Sequence, residues 1–215
     1  MMRCGPQLLA ATLAMTMVLS SSASASPVTL RQSVAEVLAE GCPVVFNRGL
    51  GLVVAPGQVL TSAHLVAGSS KISITIEGRR TLATVVAFDS DNDLAVLKTT
   101  DPAPFIPIGH ATGSTSGTLF VHHSHELKQV SASVRRAVDI KTEDIYGDGQ
   151  HLRGGFELAV NVTPGDSGSV LIADGHAVAV VWARTRGTEG TTWAIDPAPI
   201  AAKLGGAIPV DNGHC

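Results

Sequence analysis

The chain has 215 residues, a formal net charge of −3 and 45% hydrophobic residues, which leaves room for one or two globular units. Its Lys and Arg residues are scattered, with Arg79-Arg80 and Arg135-Arg136 the densest pairs, so the electrostatic footprint of a nucleic-acid binder is missing. The 22 Gly and 11 Pro separate short Val/Ile/Thr-rich runs, the texture of an all-β protein.

The first 25 residues read as a signal peptide. Arg3 precedes an apolar run from Leu8 to Leu19, small polar residues follow to Ser26, and Ala23-Ser24-Ala25 fits a cleavage site. The apolar run is short and broken by Thr12 and Thr16, which argues against a retained span. The expectation is an exported protein, secreted or periplasmic, free of the membrane once the signal is removed. Cys4 leaves with the signal, so the mature chain keeps Cys42 and Cys215. Two cysteines in an oxidising compartment pair as a rule. This bridge would close a loop of about 173 residues, a constraint of about 4–5 kcal/mol on the chain-entropy argument. The alternative is a frayed terminal thiol at Cys215.

In chain order, the spacing of Leu30, Val34, Val37 and Leu38 predicts a helix over 29–40 with Gly41 at C′, so that 26–40 forms an N-terminal helical segment. Strands are expected over 43–46, 51–55, 59–62, 71–77, 81–88 and 94–98, making a first barrel of 41–100. Asp101-Pro-Ala-Pro-Phe-Ile-Pro cannot be a central strand and opens a connector over 101–116. A second barrel over 117–196 would take strands from 117–121, 130–140, 156–162, 169–173, 177–184 and 191–195, with a long loop over 142–155. Residues 197–204 read as a short closing helix before the tail to residue 215. The expected fold is all-β: two six-stranded antiparallel barrels with a short helix at each end.

Three islands carry chemistry: Thr61-Ser62-Ala63-His64, Asp91-Asn92-Asp93-Leu94-Ala95-Val96-Leu97 and Thr163-Pro164-Gly165-Asp166-Ser167-Gly168-Ser169. A serine hydroxyl attacks a carbonyl only when a neighbouring base takes its proton. An aspartate at the edge of a buried strand is costly unless it accepts a hydrogen bond, as from an imidazole N–H. Gly165 can adopt angles closed to other residues, which would let the N–H groups of Gly165 and Ser167 face one concavity as an oxyanion hole. A separate cluster, His122-His123-Ser124-His125-Glu126, fits no standard zinc spacing and reads as a solvated loop.

Together the islands resemble the motifs of chymotrypsin-fold (trypsin-like) serine proteases of the compact bacterial secreted or periplasmic type. The order His, Asp, Ser matches that family, with His64 and Asp93 29 positions apart and Asp93 and Ser167 74 apart. The resemblance implies a serine endopeptidase with a polypeptide substrate and no cofactor or metal. His64 would be the general base, Asp93 its orienting partner and Ser167 the nucleophile. It further places Val181, Trp182 and Ala183 on the strand that pairs with the substrate backbone, Gly190 and Thr192 on the wall of the specificity pocket, and Asn161 near its floor. No acidic residue stands at that floor, which argues against a strong Arg/Lys preference. Three features depart from the pattern. Ser169 replaces a frequent Gly, and Val181 replaces a serine that bonds the triad aspartate. No activation sequence precedes Cys42, so Asp166 lacks the new N-terminus that pairs with it in trypsin-like zymogens. The competing functions are a catalytically silent peptide binder and an esterase using the same three side chains.

Overall fold

The structure is a computed structural model that describes residues 1, 27–41, 46–123, 126–184, 190–206 and 208–214, with only the backbone of residues 27–29 and 183–184. Residues 2–25 of the expected signal peptide, the Cys42–Cys215 pair, Ser124 and His125 lie outside the described residues.

The chain forms two closed antiparallel barrels of six strands each. The first contains β1 (Val34–Glu40), β2 (Phe46–Ala55), β3 (Gln58–Thr61), β4 (Lys71–Ile76), β5 (Arg79–Asp89) and β6 (Leu94–Lys98), in the order β1-β2-β3-β6-β5-β4. The second contains β7 (Ser116–His123), β8 (Glu126–Thr142), β9 (His151–Ala159), β10 (Val170–Ala173), β11 (His176–Arg184) and β12 (Thr191–Ile195), in the order β10-β11-β12-β9-β8-β7. Three helices of four to six residues accompany them: α1 (Pro27–Gln32), α2 (Ala63–Val66) and α3 (Ala198–Ala201).

The predicted helix over 29–40 is corrected. Helix α1 stops at Gln32, and Val34–Glu40 is the first strand of the first barrel, paired with both β2 and β4. Ala35, Val37 and Ala39 point into that barrel while Glu36 and Glu40 point away, an alternation that reads as a strand once a partner stands on each side. The first barrel thus begins near residue 34 and not at 41. The closing helix is also shorter than expected, four residues within 197–204, and β9 begins at His151, which trims the loop after β8 to eight residues.

Strand alternation sorts the apolar residues into three cores. Val37, Ile74, Ala95 and Leu97 fill the first barrel, and Leu119, Leu158, Leu171 and Val181 fill the second. The opposite faces meet in a third core, where Leu50, Leu52, Leu60, Leu94 and Val96 pack with Phe120, Val170, Ile172, Val180 and Ile195. Strand β6 is therefore buried on both faces and reads as an unbroken apolar run. The connector reinforces the seam: Ile106 N–H donates to Val53 O (2.9 Å), and Ala177 N–H donates to Pro107 O (2.8 Å). All three islands of the sequence fall at the edges of this seam.

Candidate active site

His64 lies in α2, directly after β3. Ala63, Leu65 and Val66 of this turn are buried, which leaves His64 as the one residue of α2 facing the cleft. Thr61 Oγ1 donates to Leu50 O (2.7 Å) and Ser62 Oγ donates to Val181 O (3.3 Å), so the approach to His64 is pinned to β2 and, across the seam, to β11.

Asp93 ends the turn between β5 and β6 at φ 55°, a left-handed conformation that non-glycine residues adopt mainly where the surroundings demand it. Here the surroundings are α2. Asp93 O accepts the Ala63 N–H (3.2 Å), Asp93 Oδ1 accepts the His64 N–H (2.8 Å), and Asp93 Oδ2 accepts from His64 Nδ1 (2.7 Å). The carboxylate is fully buried while the imidazole keeps about a third of its surface. A bond to Nδ1–H leaves Nε2 as the free, basic nitrogen. Burial pushes the His64 imidazole down, but the hydrogen bond and charge of Asp93 outweigh it, and the net shift is upward against a smaller opposing pull from Arg153.

Ser167 sits between β9 and β10 on a loop docked against the first barrel: Leu50 N–H donates to Ser167 O (2.8 Å). Gly168, at φ 80°, passes so close to Leu50 O and Thr61 Oγ1 that a Cβ there would collide with both. Gly168 N–H donates to Val181 O (3.0 Å) and Val181 N–H to Ser169 O (2.7 Å), tying the loop to β11. Ser169, the departure noted in the sequence, donates its hydroxyl to Phe120 O. Gly165 stands at φ 102°, and neither its N–H nor that of Ser167 has an acceptor among the described residues. Two unpaired donors two residues apart on one turn are the groups that an oxyanion hole uses. Among the described residues no hydrogen bond joins Ser167 to His64, a contact that often closes only when substrate is bound.

The missing partner of Asp166 is His122. Asp166 is buried and accepts from the His122 N–H (2.7 Å), the Thr163 N–H (2.7 Å) and Thr163 Oγ1 (2.9 Å), with His122 Nδ1 at 3.5 Å. Burial raises the carboxyl, but His122 and Thr163 together hold it below its ordinary value. Asp166 in turn lifts the His122 imidazole, against burial and with help from Glu36 and the Gly165 carbonyl. One member of the histidine cluster expected in a solvated loop thus anchors the Ser167 turn. The bond spans 44 residues, so nothing local in the sequence announced it.

The residues expected to contact substrate divide. Asn161 Oδ1 accepts the Gly190 N–H, which brings those two together. Val181 is buried in the second core, and Trp182 is half-buried beside a cavity of about 470 Å³ lined also by Trp193 and Ile140. Ala183 continues β11 opposite Trp193. Thr192 is fully buried with its hydroxyl donated to Val160 O (2.8 Å), so its side chain is committed to the barrel interior.

Two six-stranded barrels thus place a buried aspartate and a cleft-facing histidine on the first, and a serine between Gly165 and Gly168 on the second. The sequence profile of the trypsin-like peptidase domain matches residues 49–180, and the chain belongs to that family. The serine protease Rv3671c of Mycobacterium tuberculosis is 30% identical over 187 residues, 83% of this chain and 47% of that one. The Do-like serine protease HtrA of Lactococcus lactis is 27% identical over 82% of this chain and 44% of its own length. The chain spans about half the length of these curated relatives. Among solved structures, the active form of the Rv3671c protease superposes with a TM-score of 0.78 at 27% identity, covering 97% of this chain and 99% of that chain. An inactive form of the same protease gives 0.68 over 82% of this chain and 89% of that one.

Proposed function

We propose that this chain is an exported serine endopeptidase that cleaves peptide bonds through His64, Asp93 and Ser167. The observation that carries the proposal is the His64–Asp93 pair, closed at 2.7 Å with its carboxylate out of water, beside a serine turn whose two N–H donors are unoccupied. Nε2 of His64 takes the Ser167 hydroxyl proton as Oγ attacks the scissile carbonyl. Asp93 holds the ring in the tautomer that leaves Nε2 basic and stabilises the imidazolium as it forms. The N–H groups of Gly165 and Ser167 bind the developing oxyanion. The imidazolium then gives its proton to the leaving amine, and a water molecule repeats the sequence on the acyl-enzyme. Substrate adds as a strand along residues 181–183, with Asn161 and Gly190 flanking the pocket for the side chain before the scissile bond. The similarity to DegP-like periplasmic serine endoproteases of Chlamydia pneumoniae and Hahella chejuensis supports export, in line with the signal-like residues 1–25.

The open Ser167–His64 contact favours one alternative, a peptide-binding relative without turnover. Cleavage of a peptide library by the purified protein beside Ser167→Ala separates the two. Turnover by the wild type alone supports the peptidase, whereas equal peptide affinity and no cleavage by either protein supports the binder.

A further inference from the structure

Arg153, on β9, is 1% exposed and the largest of the fully buried side chains among the described residues. A guanidinium keeps its charge in proteins, and burying it is costly unless its donors are met. They are met by backbone carbonyls. Nε donates to Asp91 O, and Nη2 donates to Glu143 O (2.8 Å) and to Ser90 O (3.5 Å). No ion pair to it forms among the described residues. The guanidinium carbon lies 5.1 Å from the centre of the Trp182 ring, within cation–π range.

These contacts converge on one element, the turn that presents Asp93. Asp89 Oδ1 closes that turn from within by accepting the Asn92 N–H (2.9 Å), and Ile145 N–H donates to Ser90 O (3.3 Å) from the neighbouring loop. Arg153 seals the turn from the second barrel. Val181 supplies no hydroxyl to the aspartate, and Arg153 is the buried cation nearest in role. We propose that Arg153 is a positioning residue for the His64–Asp93 pair, holding the Asp93 turn in place and tying it to Trp182 of the substrate-pairing strand.

The proposal rests on His64 acting as base, and it has an electrostatic side as well as a mechanical one. Asp93 and Arg153 are the charged groups that act on His64, with opposite signs. Asp93 favours the imidazolium, and Arg153 opposes that pull, which keeps the ring available as a base closer to neutral pH. Burial pulls the guanidinium itself down, while Asp93, Asp144, Asp91 and Asp89 hold it up. The fixed positive charge is thus balanced by a ring of carboxylates without a direct pair to any of them.

The test compares wild type, Arg153→Gln and Arg153→Lys by two readouts. One is the rate of labelling by a fluorophosphonate across pH. The other is the titration of the His64 ring nitrogens by NMR in a Ser167→Ala background, which needs no turnover. In Arg153→Gln the His64 titration and the acid limb of labelling move together to higher pH, and labelling at neutral pH slows by about a hundredfold, the effect of about 1 Å of misplacement at a catalytic group. Arg153→Lys keeps the charge and loses the fork, so the titration stays near that of wild type while labelling is slower. An unchanged His64 titration and acid limb in Arg153→Gln, with only a lower melting temperature, overturns the proposal. If that variant does not fold, Arg153→Lys decides: wild-type labelling rates overturn it and slowed labelling at an unchanged titration supports it. Absence of labelling in the wild type would sink the peptidase reading instead, and the NMR titration would still decide the role of Arg153.

Discussion

At the scale of single residues, the pair His64–Asp93 sets both the size and the pH dependence of the expected activity. Asp93→Asn preserves the volume but offers an amide N–H where Nδ1–H needs an acceptor, which favours the wrong tautomer. The expected loss in kcat is on the order of 10⁴-fold with little change in KM. Steady-state kinetics on a peptide amide checks this, and a loss confined to KM would contradict it. Because the His64 imidazole is held above its ordinary value, kcat/KM falls as pH drops through that raised value, so the acid limb lies above the ordinary histidine pKa of about 6.5.

At the scale of elements, the turn that carries Ser167 is held by a titratable bond. Asp166 and His122 each favour the other's charged form, and the two shifts bound a window. His122, raised in the folded chain, contributes stability in full below the unfolded value near 6.5, and this is lost as pH rises through its folded value. Asp166, lowered in the folded chain, contributes above the unfolded value near 3.8, and this is lost as pH falls through its folded value. The difference in melting temperature between wild type and His122→Gln is therefore largest between those limits and shrinks above them. A constant difference across pH would show that the imidazole acts by shape alone. Glu36, Arg48 and Arg80 line the same cavity of about 170 Å³ as His122, so the comparison belongs at fixed ionic strength.

What the sequence disclosed at this scale depended on the range of the cause. Strands β4, β6 and β12 were legible because alternation or an unbroken apolar run is local. Segment 34–40 is ambiguous in the sequence because Leu30, Val34, Val37 and Leu38 satisfy a helical spacing equally well, and pairing with β2 and β4 makes it a strand. His64, Asp93, Ser167 and Gly165 stand out through their flanking residues. Arg153 and His122 do not. Each is held by backbone carbonyls or a carboxylate distant in the chain, and neither Arg153 on its strand nor His122 within its histidine cluster carries a local mark of that partner.

For the whole molecule, the seam between the barrels is the structural basis of the site. Leu52, 1% exposed, points from the first barrel into the core shared with Phe120, Val180 and Ile195. Leu52→Ala removes that packing and should cost about 2–5 kcal/mol. Because the core is common to both barrels, the urea midpoint should fall in a single transition with an unchanged slope. Two separated transitions, only one of them moved, would mean that the barrels fold independently and that the seam adds little.

The central claim is that Ser167 is an activated nucleophile, and the most direct measurement is the mass of the protein after exposure to a fluorophosphonate, with the adduct located by peptide mapping. A single adduct on Ser167, absent from Ser167→Ala and strongly slowed in Asp93→Asn, is the predicted result. No adduct, or one placed on another residue, would contradict the catalytic assignment.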